Sequence, residues 1–149
     1  MTTTPFQPPD PSYAERVLAS FGQQTIMAAI GASVLSVAPG VVEIELPFRG
    51  DLCQQDGFLH AGIVTTIVDS ACGYAAFTLM PNDARVLSVE FKINFLAPAI
   101  GDRFIARGRV ARAGRTITVC TGEVVAPTGD AERSIALMQA TMMAVYSRV

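Results

Sequence analysis

Residues 58–80, FLHAGIVTTIVDSACGYAAFTLM, decide how this chain is read. From just after Asp56 to just before Asp83 the only charged or imidazole side chains are His60 and Asp69, and both sit among apolar or small residues. Ionised aspartate is among the side chains least often buried, because leaving water costs it several kcal/mol unless it is paired or hydrogen-bonded. Asp69 is therefore the first candidate for chemistry. The run is also long enough to cross a bilayer. Against that reading, Asp69 near its midpoint carries a penalty of about 3 kcal/mol. No Lys or Arg stands close to either end, and Thr65, Thr66, Ser70 and Thr78 add polarity. A helix apolar on nearly every side is otherwise one wrapped by protein.

Strands to wrap it are legible on both sides. In VVEIELPF, Val42, Ile44, Leu46 and Phe48 alternate with Val41, Glu43, Glu45 and Pro47, a period of two with one polar face. Leu87, Val89, Phe91, Ile93 and Phe95 alternate with Ser88, Glu90, Lys92 and Asn94 in the same way, which predicts one apolar face. Runs from about Arg103 to Ala111 and from Arg115 to Val125 meet across Ala113-Gly114, and a second hairpin turns through Pro127-Thr128-Gly129-Asp130. The last strand, Ile135 to Tyr146, is apolar or small on both faces, the pattern of a strand packed on both sides. A helix over Ser12 to Phe21 is expected, with Ser12 as N-cap and Glu15 completing a capping box, and Gln24 to Ile30 adds a short helical turn. The expected order is helix, two strands, the long apolar helix and four strands in a meander. This is an α+β fold in which a curved antiparallel sheet of five to six strands wraps one central helix. The helix's last flank and the sheet edges then need cover, which a second copy would supply.

Composition bounds the rest. At 149 residues, 50% of them apolar, the chain is long enough for one domain with a real core and too short for two. Residues 1–11, with their prolines, read as a flexible tail without the pattern of a signal peptide, and residues 12–149 as the domain. A net charge of −2 with no basic block gives no footprint for nucleic acid or an anionic membrane. Cys53, Cys72 and Cys120 are odd in number and lack C-x-x-C spacing, so they read as core thiols of a cytoplasmic protein. Arginine far outnumbers lysine, of which Lys92 is the only one, hinting at a GC-rich bacterial genome.

Asp56-Gly57 signals a turn, and Leu59-His60-Ala61-Gly62 supplies small residues where the helix begins. The first N–H groups of a helix have no partner inside it and carry the positive end of its dipole. The N–H groups of Ala61 and Gly62 can thus receive a carbonyl oxygen as negative charge develops on it. Asp69 lies nine residues after His60, roughly 13 Å along the axis, and cannot attack a carbonyl held at the start of its own helix. If both groups serve one reaction, the halves of the site come from two chains, with antiparallel helices meeting across a dyad.

The pattern G-x-L-H-A-G-(x6)-D-(x3)-G over Gly57 to Gly73, the segment SVEFKINFLAPAIGD from Ser88, and the hairpin Ala113-Gly114-Arg115 resemble the hotdog-fold acyl-CoA thioesterases, specifically the PaaI-like, phenylacetate-degradation group. The resemblance spans about Leu35 to Tyr146. It implies hydrolysis of an aryl- or medium-chain acyl-CoA to the free acid and coenzyme A. In that family the helix carboxylate, here Asp69, is general base or nucleophile, and the N–H after the motif histidine, here that of Ala61, polarises the thioester carbonyl from the opposite subunit. The strand serine that orients water corresponds to Ser88. The family usually unites dimers into tetramers and uses no metal or redox cofactor, coenzyme A being part of the substrate. Two departures stand out: the usual His-Gly-Gly is His60-Ala61-Gly62, and the asparagine usual six residues before the histidine is Gln54. His60 and Gly62 are further expected to meet substrate, and Arg112 and Arg115 to meet coenzyme A phosphates, although His60 reads as a helix cap before a proton carrier. Two alternatives are a non-catalytic acyl-CoA-binding hotdog module and, less favoured because the chain has one histidine, an enoyl-CoA hydratase.

Overall fold

In the computed structural model, which describes residues 6–147, the apolar stretch becomes a helix of 17 residues, Ala61–Phe77. It is preceded by α1 (Tyr13–Gln23), α2 (Thr25–Ile30), β1 (Ser33–Ala38) and β2 (Val41–Pro47), and is therefore α3. It is followed by β3 (Ala84–Phe95), β4 (Arg103–Arg112), β5 (Ile117–Thr128) and β6 (Ala131–Tyr146). Among the described residues no helix is long and apolar enough to cross a membrane.

The strands form one antiparallel sheet in the order β1-β2-β4-β5-β6-β3. The expected four-strand meander is thus corrected: β4, β5 and β6 are consecutive, but β3 lies beyond β6 at the far edge. The chain leaves α3 on one side of the sheet, lays β3 at the edge, and returns to β2 with β4. Sequence alternation gives the faces of strands and not their neighbours, so this crossing was not readable from it.

What holds the helix to the sheet is missing side-chain volume. Gly108 on β4 and Gly122 on β5 are directly opposite each other in the ladder. A Cβ on Gly108 would come within 2.2 Å of the Ala71 backbone, and one on Gly122 within 2.6 Å of Val68 Cγ2 and 2.8 Å of Cys72 Sγ. Around this contact Val64, Ile67, Val68, Ala71, Cys72, Ile44, Leu46, Phe104, Val124 and Met142 are almost wholly excluded from water. Each large apolar side chain so buried contributes about 1.5–3 kcal/mol.

At its other end α3 is tied to α1. The Arg16 guanidinium donates to the carbonyls of Phe77 (3.0 Å), Met80 (2.7 Å) and Pro81 (2.6 Å) and sits 4.2 Å over the Phe77 ring. It thereby satisfies carbonyls at and beyond the helix C-terminus. Burial lowers its pKa, opposed by Asp10 and Asp83. Ser12 does occupy the N-cap of α1, but its side chain makes no capping bond. The expected capping box is replaced because Asp10 Oδ1 already accepts the Ser12 N–H (2.9 Å) that Glu15 would have taken. The tail expected over residues 1–11 lies partly outside the described residues. Its described part is docked, with Phe6 over Gly40 and Asp10 3.2 Å from Arg16.

Two strand readings are also corrected. β6 buries Ile135, Ala136, Met138, Ala140, Met142 and Ala144 but leaves Leu137 and Gln139 exposed, so in the single chain it is packed on one face only. In β3 a bulge between Ser88 and Glu90 breaks the alternation. Ser88 is opposite the buried Met142, whereas Phe91, Ile93 and Phe95 are opposite Ala140, Met138 and Ala136. Ser88 and these three apolar residues therefore share the helix-facing side, and Leu87, opposite Met143, does not.

The close approach of α3 makes a specific demand. Gly108→Ala should destabilise the protein by about 3 kcal/mol, the upper range for an overpacked core, because the obstacle is backbone. Chemical denaturation of the two proteins checks this; an unchanged midpoint would show the helix free to retreat.

Candidate active site

The loop entering α3 is a compact turn. Gly57 takes the left-handed conformation (φ 83°), and the Gln54 N–H donates to the Phe58 carbonyl at 2.8 Å. The Gln54 side-chain oxygen accepts the N–H groups of Asp56 and, at 3.3 Å, Phe58. Gln54 thus spends its amide oxygen organising the turn. The turn delivers His60 as N-cap of α3, its Nδ1 accepting the Gly62 N–H at 2.8 Å. Accepting at Nδ1 places the proton of the neutral ring on Nε2.

This cap decides which donors remain at the helix start. The N–H groups of Ile63 and Val64 go to the His60 carbonyl, and that of Gly62 to its imidazole. Among the described residues only the Ala61 N–H of this first turn meets no acceptor. It sits at the positive end of the dipole on an exposed residue. The expectation that Gly62 also offers its N–H is thereby corrected. A Cβ on Gly62 would stand 3.0 Å from the imidazole, so the glycine's role is to admit the cap. Gln54 and Ala61 line one cavity of about 390 Å³ with Phe58, Phe95 and Pro98.

Asp69 lies in a different cavity, of about 520 Å³, between α3, the α1–α2 junction and β3. Ser88 Oγ donates to Asp69 Oδ1 at 2.7 Å and also lies 3.4 Å from Met142 Sδ. The bulge that turns Ser88 inward makes this bond possible. The second carboxylate oxygen has no partner among the described residues. Nearby thiols do not compete as nucleophiles: burial pushes Cys120 up to about 12 and Cys72 higher still, with Cys120 and Asp69 adding to the rise at Cys72.

The structure therefore brings together Asp69 with Ser88, and Gln54 with His60, Ala61 and Gly62, and keeps the two groups apart within one chain. Arg112 and Arg115 are exposed at the β4–β5 turn and line neither cavity. Sequence reasoning missed Ser20, Gln24, Ser70, Tyr74 and Arg85, which line the Asp69 cavity. Ser70 and Tyr74 were signalled by their place beside Asp69 on the same helix. Gln24, 50 residues before Tyr74, carried no such signal. Gly73 opens onto this cavity, for a Cβ there would meet nothing within 4 Å.

A family model, the thioesterase superfamily, matches residues 56–132, the interval from the turn before α3 through the β5–β6 hairpin. The chain belongs to this superfamily. This thioesterase is 52% identical to a thioesterase family protein of Silicibacter pomeroyi, whose crystal structure superposes with a TM-score of 0.88 over 91% of this chain and 99% of that one. It shares its fold with the Escherichia coli PaaI protein from the phenylacetic acid degradation operon, at 18% identity and a TM-score of 0.81 over 90% and 94% of the two chains. Human acyl-coenzyme A thioesterase 13 is 28% identical over 86 residues, 57% of this chain and 61% of that one. The fold is the expected hotdog, and the protein is a thioester hydrolase.

The cap geometry separates two roles for His60 in this thioesterase. His60→Ala should lower stability by about 1 kcal/mol, the usual cost of a lost N-cap, whereas His60→Asn restores a capping oxygen. Thermal melts and thiol-release assays on both variants check this: Asn should retain turnover, and its loss in a stable Asn variant would assign the imidazole a proton-transfer role.

Proposed function

We propose that the protein hydrolyses acyl-CoA thioesters with aryl or medium-chain acyl groups, in composite sites formed by two copies of the chain. One observation carries the reading. Asp69 and the free N–H of Ala61 are on one straight helix, eight residues and about 12 Å apart, and open into separate cavities. Neither cavity alone holds both a base and an oxyanion donor.

A second copy related by a dyad supplies the missing half to each. The unpaired outer edge of β3, with Leu87, Val89, Phe91, Phe95 and Leu96 exposed beside it, offers the surface for it. The flank of α3 carrying Gly62, Thr65, Thr66 and Asp69 at helical spacing is also not fully covered. Both threonine hydroxyls donate to carbonyls four residues back, which leaves a flank already satisfied and ready to meet another helix.

In the proposed reaction Ser88 holds one oxygen of the Asp69 carboxylate and the other takes a proton from water. The oxygen of that water bonds to the thioester carbon, and the oxyanion accepts the N–H of Ala61 from the other subunit. Collapse breaks the carbon–sulfur bond, and the proton on Asp69 passes to the departing thiolate, giving the carboxylic acid and coenzyme A. The likeness to human acyl-coenzyme A thioesterase 13 supports coenzyme A as the carrier. The same proposal includes pairing of dimers into tetramers, a cytoplasmic location, and no cofactor beyond the coenzyme A that the substrate brings. Gln54, Arg112 and Arg115 are proposed to act on bound substrate, the first through its amide nitrogen and the arginines on the phosphates.

The composite site has a stringent test. Asp69→Asn should lose at least ~10²-fold in turnover. Ala61→Pro should lose a similar factor by deleting one donor, at a first helical position where proline is well tolerated. Refolded together, the two inactive proteins should recover about a quarter of wild-type thiol release on phenylacetyl- or hexanoyl-CoA. Half of randomly paired dimers are mixed, and each of those has one intact site of two. No recovery, with mixed dimers shown by mass spectrometry, would place each site within one chain.

A further inference from the structure

The cavity beside Asp69 has a floor kept bare at one point. Gly73 follows Asp69 by one helical turn and is buried, yet a Cβ there would meet nothing within 4 Å. Gly108 and Gly122 are glycine because the helix would collide with anything larger; that reason does not apply at Gly73. Nor does conformation, since its φ is not in the left-handed region, and glycine in a helix interior is less favourable than alanine. The space above Gly73 is the cavity itself.

The far wall is rigid. Tyr74 packs its ring against Phe21 and Phe77, with centroids 6.0 and 6.2 Å apart. Its hydroxyl accepts from Gln24 Nε2 at 2.9 Å and lies 3.2 Å from Ser20 Oγ, while Ser70 Oγ donates to Gln24 Oε1 at 3.4 Å. This network pins the α1–α2 junction across the end of the cavity.

We propose that this cavity receives the acyl group and that Gly73 is the specificity-determining position that sets its size. The proposal rests on the hydrolase reading above and deepens it. With the carbonyl carbon held at Asp69, the rest of the acyl group runs along α3, over Gly73, and stops at the wall around Tyr74. That wall is five residues on, about 7.5 Å of helix rise. A single ring or a short alkyl chain fits this span, and a long chain does not.

The test uses S-ethyl, S-hexyl and S-decyl coenzyme A thioethers, which lack the carbonyl and cannot be hydrolysed. They are titrated calorimetrically into wild type, Gly73→Ala and Gly73→Leu. Wild type should bind S-hexyl more tightly than S-ethyl and gain nothing further from S-decyl. The ratio of S-hexyl to S-ethyl affinity should fall at least ~10-fold in Gly73→Leu, the low end for a pocket misfit, and less in Gly73→Ala. The melting temperature of Gly73→Ala should equal or exceed that of wild type. An unchanged ratio in folded variants, or equal weakening of all three ligands, would overturn the assignment. Acetyl-, hexanoyl- and decanoyl-CoA turnover, read in parallel, separates the two claims. Length sorting without hydrolysis would sink the hydrolase reading and keep the pocket; hydrolysis that Gly73 variants fail to sort would do the reverse.

Discussion

The contact of α3 with the paired glycines of β4 and β5 fixes nearly everything else. A helix wrapped by a sheet could rotate about its axis or slide along it if apolar surface alone held it there, because the hydrophobic effect has no direction. Gly108 and Gly122 remove that freedom, for Val68, Ala71 and Cys72 of α3 enter the space they leave. Once those three face the sheet centre, Asp69 lies about 100° round the helix from Val68, towards the edge where β3 runs. The position of the carboxylate is thus set by two glycines it does not touch.

β3 solves a second problem with one extra residue. It must offer a polar hydroxyl to Asp69 and, a few residues later, apolar side chains to the same side of the sheet. A strand of strict period two does this only if the hydroxyl and the apolar residues share parity, and here Ser88 is even while Phe91, Ile93 and Phe95 are odd. The bulge at Val89 changes the parity between them. Its cost is a local break in the ladder at an edge strand, where a break is tolerated best.

The sequence announced the long helix, its isolated carboxylate, the capping position of His60 and both hairpins, because each follows from local composition or short-range periodicity. The separation of Asp69 from Ala61 was legible for the same reason, being a count of residues along one helix. The sheet order was not, since β3 pairs with the last strand and nothing local encodes that choice. The bulge was missed because in the sequence Leu87, Val89 and Phe91 follow one another as in an unbroken alternation, although Leu87 and Phe91 lie on opposite sides of the sheet. What Gly73 faces was not legible, because a glycine beside packed backbone and a glycine beside empty space look alike in a sequence. Only the surroundings of a Cβ tell them apart, and at Gly73 these are a cavity whose other walls come from the end of α1, Gln24 and β3.

The capping arrangement at the start of α3 also leaves a single free donor there, the one proposed above to receive the oxyanion. A helix N-terminus offers several unpaired N–H groups, and an open set would bind water or anions in many orientations. Here the Gly62 N–H is consumed by the His60 imidazole and those of Ile63 and Val64 by the His60 carbonyl, so the dipole acts through Ala61 alone. One fixed donor defines one position for a carbonyl oxygen, and stabilisation by preorganised dipoles depends on that fixity. The Ala61 methyl group does not impair it, because a side chain at the first helical position leaves its own N–H in place. In the proposed reaction the demand on Ala61 is geometric: the base comes from elsewhere, because Asp69, the one carboxylate of its own helix, faces a different cavity.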